Sequence, residues 1–174
     1  MIGRLAAILA LAASGMGGAA LAQETPFTPQ ATEACLAAAT EEEVKAACLG
    51  LSANACMAAQ PGGPSTAGDG ACYAAETAYW DRRLNADYAE LLKLEEAQAA
   101  EDAAAPALQA SPVEALRTME RAWVAYRDAA CAYEYSTWGG GTGGGPAQEL
   151  CLLIFTGRQA LDLELRLSEL KVQE

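Results

Sequence analysis

The chain has 174 residues, with 11 basic side chains against 23 acidic ones, a formal net charge of −12, and no histidine. An acidic balance of this size disfavours nucleic acids and anionic membranes as partners, because both are recognised through basic patches. It favours solubility and attraction to cationic proteins. The lack of histidine excludes Ser-His and Cys-His nucleophile pairs and removes a common zinc ligand.

The first 22 residues have the layout of a cleaved secretory signal peptide. Arg4 precedes an apolar run over 5–13, and small residues then lead to Ala20-Leu21-Ala22. A basic start, a short apolar core and an A-x-A site are typical of exported proteins. The apolar core is shorter than the about 20 residues of a membrane-spanning helix, and no later segment is long enough either. We predict cleavage after Ala22 and a periplasmic or secreted product, which loses one base and no acid and so carries 10 bases, 23 acids and a net charge of −13.

The N-terminal part of the mature chain predicts short elements. Residues 23–31 are rich in Pro and Thr and are expected to be disordered, ahead of a single helical domain over 32–174. A short Ala-rich helix is expected over 31–39. Thr40 and Glu43 have the spacing of a capping box, which predicts a helix from Glu41 to about Ala59. The Pro-Gly-Gly-Pro run at 61–64 ends that helix.

A long helix is expected to start near Asp69. We interpret the Ala- and Glu-rich stretch 95–105 as its frayed end or a hinge, bounded by Pro106. Large apolar residues, mostly three or four positions apart, give this helix one buried face. They are Tyr73, Trp80, Leu84, Tyr88, Leu91 and Leu94.

Two further helices follow. Ser111-Pro112 is a strong helix start, and the helix continues to about Tyr135 with Val113, Leu116, Met119, Trp123 and Tyr126 at helical spacing. The glycine-rich run from Trp138 to Gly145 is expected to be mobile. Pro146 opens the last helix, whose apolar face holds Leu150, Ile154, Leu161 and Leu165. Because no alternating strand pattern occurs, the predicted fold is an all-α, antiparallel helical bundle of three main helices plus one or two short N-terminal ones.

Residues 120–131, ERAWVAYRDAAC, resemble the central motif of the lysozyme inhibitor LprI-like family, long described as a domain of unknown function. The resemblance extends upstream to Cys72 and downstream to Cys151 and Thr156, and it covers about residues 56–170. The chain departs from the family pattern at Gln159, where an Arg is usual. Seven motif residues are interpreted as structural: Leu84, Asn85, Tyr88, Trp123, Tyr126, Arg127 and Asp128. The resemblance implies an inhibitor rather than an enzyme.

All six cysteines lie in the mature chain, and an even number behind a signal peptide predicts three disulfides. Cys131 and Cys151 flank the glycine-rich loop, so a bond between them would tie two helices together. Cys56 with Cys72 would clamp the 61–70 loop, which leaves Cys35 with Cys48. A pairing of Cys72 with Cys35 or Cys48 remains the alternative, since sequence alone does not choose among 15 connectivities.

The remaining polar and aromatic candidates have mostly structural interpretations. Trp80, Tyr88, Trp123 and Tyr126 are expected in the core. A buried Arg127 would need a carboxylate, for which Asp81 and Asp87 are the expected partners. Loops carry function more often than helices, so the candidate partner-contact loop comprises Trp138, Gly139, Gly140, Gly141 and Thr142.

Two functional hypotheses follow. The first is a periplasmic binding protein that inhibits a lysozyme or another cell-wall hydrolase, with a cationic lysozyme as the expected protein partner. The second is an envelope structural or stress protein that binds another periplasmic partner and inhibits nothing. No catalytic residue, cofactor site or metal site is predicted, because the carboxylate pairs sit on polar helix surfaces and no C-x-x-C pair occurs.

Overall fold

The computed structural model of the chain describes residues 26–101 and 111–173, and these form an all-helical fold. The six helices of this part are α1 (Gln30–Ala38), α2 (Glu42–Ala46), α3 (Leu51–Ala58), α4 (Thr66–Glu101), α5 (Pro112–Ser136) and α6 (Gly144–Gln173). No strand occurs within them, so the predicted all-α class is confirmed. The predicted signal peptide and Pro106 lie outside the described residues. None of the described helices is long and apolar enough to cross a membrane.

The three long helices form an up-down-up bundle. Gly70 near the start of α4 lies beside Pro146 near the start of α6, and Glu95 late in α4 pairs with Arg166 late in α6, so these helices run parallel. Helix α5 runs antiparallel to both. The main core lies between α4 and α6 and contains Trp80, Leu84, Leu91, Ala160, Leu161, Leu163 and Leu167. A smaller core beneath α3 contains Ala53, Cys56, Cys72 and Leu153.

The predicted helix over 41–59 is two helices, because Gly50 breaks it. Gly50 has a φ of 88°, which L-residues other than glycine rarely adopt, and it forms the N-cap of α3. The predicted capping box at Thr40 is wrong, since Glu41 is the N-cap of α2 and no side chain caps this helix. The predicted disorder over 23–31 is wrong at its end, because α1 begins at Gln30.

Helix α4 starts three residues before the predicted Asp69. The Ser65 hydroxyl accepts a 3.0 Å hydrogen bond from the Gly68 N–H group, which satisfies one of the donors that a helix start leaves unpaired. A Ser directly after Pro64 is a cap signal that the sequence contains and that the prediction overlooked.

Four apolar residues of the predicted helix faces lie on the surface instead. They are Met119 at 38% exposed, Tyr126 at 63%, Leu150 at 38% and Leu165 at 39%. Helix α5 packs mainly on α6 and less on α4, so only a narrow strip of it is covered. Helix α6 buries Leu161 as predicted, but its buried face is centred beside the predicted one, around Leu153 and Ala160.

Three disulfides join neighbouring segments of the fold, and all their cysteines lie in helices except Cys48, which lies in the turn between α2 and α3. They pair Cys35 with Cys48, Cys56 with Cys72, and Cys131 with Cys151, which are the pairs favoured from the sequence. The third bond spans 20 residues and joins α5 to α6 across the glycine-rich loop, with a Cα–Cα distance of 5.5 Å.

Candidate functional site

The glycine-rich loop joins α5 to α6 through hydrogen-bonded turns. Gly139 and Gly140 have φ values of 54° and 86°, and the Gly141 N–H group donates to the Trp138 carbonyl at 2.8 Å. The Trp138 ring lies over Gly143, where a Cβ atom would be 2.2 Å from the ring atom Cζ3. Glycine at 143 therefore lets the indole fold back onto the loop while 47% of Trp138 stays exposed.

An open groove of about 610 Å³ lies beside this loop, where the start of α4, the end of α5 and the start of α6 meet. We call it the loop groove. Its apolar walls include Trp138, Leu150, Ile154 and Phe155, and its charged lining residues are Asp69 and Glu134. The candidate residue Trp138 thus forms part of a concave surface, whereas Gly139, Gly140, Gly141 and Thr142 are exposed beside it.

The polar side chains that line the loop groove include the carboxylates of Asp69 and Glu134, the Tyr73 phenol and the Thr66 hydroxyl. Asp69 accepts a 3.1 Å hydrogen bond from the Gln60 side-chain amide. Burial raises the pKa of the Tyr73 phenol, and the negative charge of Asp69 raises it further. Tyr73 therefore stays protonated at neutral pH and can act as a hydrogen-bond donor.

An adjacent groove of about 530 Å³ shares Thr66 and Pro146 with the loop groove. Thr142 lines it, and its charged residue is Glu149. Burial raises the pKa of the Glu149 carboxyl. The two grooves together form one concave end of the bundle.

Exposed aromatic side chains are concentrated in the second half of α5 and at Trp138, which lines the loop groove. Of the chain's 11 Phe, Tyr and Trp residues, all of which are described, those classed as exposed fall within 126–138. Tyr133 is 72% exposed and Tyr135 is 50% exposed, while Tyr126 packs edge-to-face on Phe155 with 5.5 Å between ring centroids. We call Tyr126, Tyr133, Tyr135 and Trp138 the aromatic surface.

The family-motif residues lie along the bundle and not at the loop. Leu84 is buried, and Tyr88 and Trp123 are partly buried against the main core. The Asn85 amide donates to the Asp81 carbonyl at 2.8 Å and to its carboxylate at 3.0 Å. Gln159 is nearly buried, and its amide lies 3.4 Å from the Met119 sulfur.

The predicted pairing of Arg127 across the helix interface is wrong. Arg127 binds its neighbour Asp128 instead, with 2.8 Å between nitrogen and oxygen. Its guanidinium also lies 4.9 Å from the centroid of the Trp123 ring. The adjacent carboxylate and the aromatic face satisfy the cation on its own helix, so no partner from α4 is needed.

A fully buried carboxylate, Glu76, was missed in the sequence. One of its oxygens accepts hydrogen bonds from the Thr32 hydroxyl at 2.9 Å, the Gly50 N–H at 2.9 Å and the Trp80 indole at 3.2 Å. The other oxygen accepts from the Ala53 N–H at 2.6 Å. Glu76 therefore caps the N-terminus of α3, where backbone donors and the helix dipole favour a negative charge.

Thr32 and Ser52 complete this junction. The Thr32 N–H group donates to the Ser52 hydroxyl at 3.0 Å, and the Ser52 N–H group donates to the Thr32 hydroxyl at 3.1 Å. Helices α1 and α3 thus cap one another while Glu76 joins both to α4. We call Thr32, Gly50, Ser52, Ala53 and Glu76 the capping junction.

The comparisons with known proteins give one match. The family model described as "Lysozyme inhibitor LprI" matches residues 56–163, which is more than half of the chain. No curated protein and no solved structure matches it. The description of the family names an inhibitor. Within the described residues, no group of three or more potential metal ligands occurs. On the basis of the matched segment, the chain belongs to the lysozyme inhibitor LprI family.

Proposed function

We propose that this protein is an exported inhibitor that binds a lysozyme or a related cell-wall hydrolase in the periplasm. The family description supports an inhibitor. Three disulfides fit an oxidising compartment, and the N-terminal 22 residues fit a secretory signal. The net charge of −13 expected after cleavage, 10 bases against 23 acids, would steer a cationic hydrolase towards it.

The proposed contact surface is supported by a set of exposed aromatic residues in the second half of α5 that ends at Trp138 in the loop groove. Tyr and Trp are enriched among the residues that dominate binding energy at protein interfaces. They offer large contact areas at a low cost in conformational entropy. The aromatic surface and the loop groove are therefore the proposed contact with the hydrolase.

An inhibition assay tests the proposal. The mature chain, oxidised and purified, is added to lysozymes of several classes, and the clearing of a cell-wall suspension is followed. We expect a dose-dependent loss of lysis with at least one cationic lysozyme. If no lysozyme is inhibited at micromolar protein, the inhibitor proposal fails for these enzymes, and a crosslinking pull-down from envelope extract would then test the non-inhibitory envelope role.

Trp138→Ala is expected to weaken inhibition by about 30-fold, because truncation of a central aromatic residue typically costs about 2 kcal/mol of binding. The measurement is the inhibition constant. Leu165→Ala is the matched control, since Leu165 is similarly exposed, at 39%, but lies far along α6 from the loop. Equal inhibition by the Trp138 variant and the wild-type chain would remove the loop from the contact surface.

A further inference from the structure

The end of the bundle that holds the loop groove is built from two chain segments without any cation. The sequence carries no Lys or Arg between Lys45 and Arg82, and none between Arg127 and Arg158. These two segments supply every lining residue of the loop groove and of the adjacent groove. They also supply the lining of a third, separate cleft, apart from Pro26. The chain has no histidine either, so the described residues that line the two grooves are acidic or neutral.

The loop groove combines that acidity with an apolar surface. Asp69 and Glu134 line it on the α4 and α5 sides, while Leu150, Ile154 and Phe155 line it from α6. A groove with carboxylates and apolar walls is complementary to a side chain that has a cationic head and an aliphatic stem. Lys and Arg have this form, because their methylene groups can cover apolar surface while the charged group reaches a polar partner.

We propose that the loop groove receives a Lys or Arg side chain of the protein partner, flanked by apolar residues, with the cation directed to Asp69 and Glu134. This groove proposal rests on the proposed function only in that it takes the partner to be a protein. It adds that a cationic side chain of the partner is the recognised group. Charge complementarity argues against a second copy of this chain as the occupant, since two copies would bring equally acidic ends together. It also argues against a carboxylate-bearing glycan strand.

The first test changes the groove charges. The double variant Asp69→Asn, Glu134→Gln keeps the shape and an acceptor oxygen at both positions while removing two negative charges. Its affinity for an inhibited cationic lysozyme, measured by titration calorimetry, is expected to fall by at least about tenfold. Circular dichroism and thermal unfolding establish that the variant is folded.

The matched control removes the same charge from the other end of the bundle. Glu101 lies about 48 Å along α4 from Asp69, at a rise of about 1.5 Å per residue, and Glu169 is an exposed residue near the end of α6. The double variant Glu101→Gln, Glu169→Gln is expected to lose less than about threefold, an effect of net charge on encounter alone. Equal losses in the two double variants would overturn the proposal.

The second test needs no lysozyme, so it separates this proposal from the inhibitor proposal. The wild-type chain, labelled with ¹⁵N, is titrated with the capped tripeptide Leu-Arg-Leu and, in parallel, with capped Leu-Glu-Leu. We expect the Arg peptide alone to shift the Trp138 indole signal and the Gly141 and Gly143 amides. Those shifts without lysozyme inhibition would leave the groove assignment standing and overturn the inhibitor proposal.

Three outcomes of the titration contradict the groove assignment. They are equal shifts with both peptides, shifts that avoid Trp138 and its glycines, and no shift with either peptide. A parallel titration with an N-acetylglucosamine oligomer tests a second competing occupant, a neutral glycan against which the charge argument does not apply. Shifts at Trp138 with the oligomer but not with the Arg peptide would identify the groove as a glycan site and overturn the proposal.

Discussion

Glu76 is fully buried at the meeting point of α1, α3 and α4, and its carboxylate accepts four hydrogen bonds. Burial of a charge is unfavourable unless donors replace the lost water. Here the donors are an indole, a hydroxyl and two backbone N–H groups at a helix start. The carboxylate thus satisfies donors that would otherwise be unpaired in the core. Removal of the carboxylate would leave these donors buried without an acceptor, and removal of the donors would leave the carboxylate buried without hydrogen bonds.

Glu76→Gln is expected to lower the free energy of unfolding by about 2–3 kcal/mol, because the amide NH₂ would face donors where a carboxylate oxygen now accepts. Urea unfolding of the oxidised chain measures the change. Glu101→Gln, on the exposed end of the same helix, is the control and should change stability by less than about 0.5 kcal/mol. A loss of that small size at Glu76 would show that the junction adds little to stability.

The half-buried Glu120 carboxyl is expected to make the stability of the folded protein depend on pH. Burial raises the pKa of the Glu120 carboxyl, Arg127 opposes this rise, and Asp81 adds to it. One of its oxygens is buried without a hydrogen-bond partner among the described residues. A raised pKa means that the folded protein keeps the proton at pH values where the unfolded chain has lost it. Stability therefore falls as pH rises through the window above the ordinary carboxyl value of 4.5.

Glu120→Gln removes that penalty. The melting temperature at neutral pH is expected to rise by about 1–3 °C, and the gain should vanish at about pH 4 and below, where the wild-type carboxyl is protonated in both states. Thermal unfolding at a series of pH values measures this, with exposed Glu101→Gln as the control. A gain that is the same at every pH would mean that the ionisation of Glu120 is not its cause.

At the scale of elements, apolar periodicity and cap signals predicted the three long helices to within a few residues. The spacing of apolar residues shows where a helix runs but not which neighbouring helices cover it. Tyr126 was therefore predicted in the core, although no neighbouring helix buries it and it is 63% exposed. The split at Gly50 was missed because a single glycine within an Ala-rich stretch is compatible with a continuous helix.

The candidate site was predictable in part. A glycine-rich run between two helices, next to a Trp, indicated a loop worth considering, and Trp138 lines the loop groove. The groove itself was not predictable, because it also needs Asp69 and Tyr73, which are more than 60 residues from Trp138 in the chain. The same holds for Glu76, whose donors Thr32 and Gly50 lie 44 and 26 residues away.

The disulfide between α5 and α6 yields an expectation at this scale. Cys131→Ala with Cys151→Ala should lower the free energy of unfolding by about 3 kcal/mol, because a cross-link that closes some 20 residues restricts the unfolded chain. Urea unfolding and hydrogen exchange measure this, and the largest gain in exchange is expected at the ends of α5 and α6 next to the loop. A loss below about 1 kcal/mol would mean that packing alone holds these ends together.

At the scale of the whole molecule, charge is the dominant property. Ion pairs such as those of Glu164 with Lys45 at 3.3 Å and with Arg83 at 2.6 Å use cations to fasten α2 and α4 to α6. Because acidic side chains outnumber basic ones by 23 to 11, the field around the protein is strongly negative. Such a field accelerates the approach of a positively charged partner.

The association rate constant with a cationic lysozyme should therefore fall on the order of 10- to 100-fold between about 0.01 M and about 0.5 M salt. The dissociation rate should change much less, since short-range contacts are screened less than the approach is. Stopped-flow fluorescence measures both rates. An association rate independent of salt would show that the negative field does not guide the encounter.

The capping junction has a practical consequence for where the folding unit begins. A fragment starting at Cys56, where the family match begins, would discard Thr32, Gly50 and Ala53, and Glu76 would keep just the Trp80 indole of its four donors. Because Cys35 and Cys48 pair with each other, the fragment would lose both and keep no unpaired cysteine. A free-thiol assay would therefore not detect that the capping junction is missing. We expect it to express as a poorly soluble species, and we expect recombinant boundaries placed before Pro26 to behave as the intact protein does.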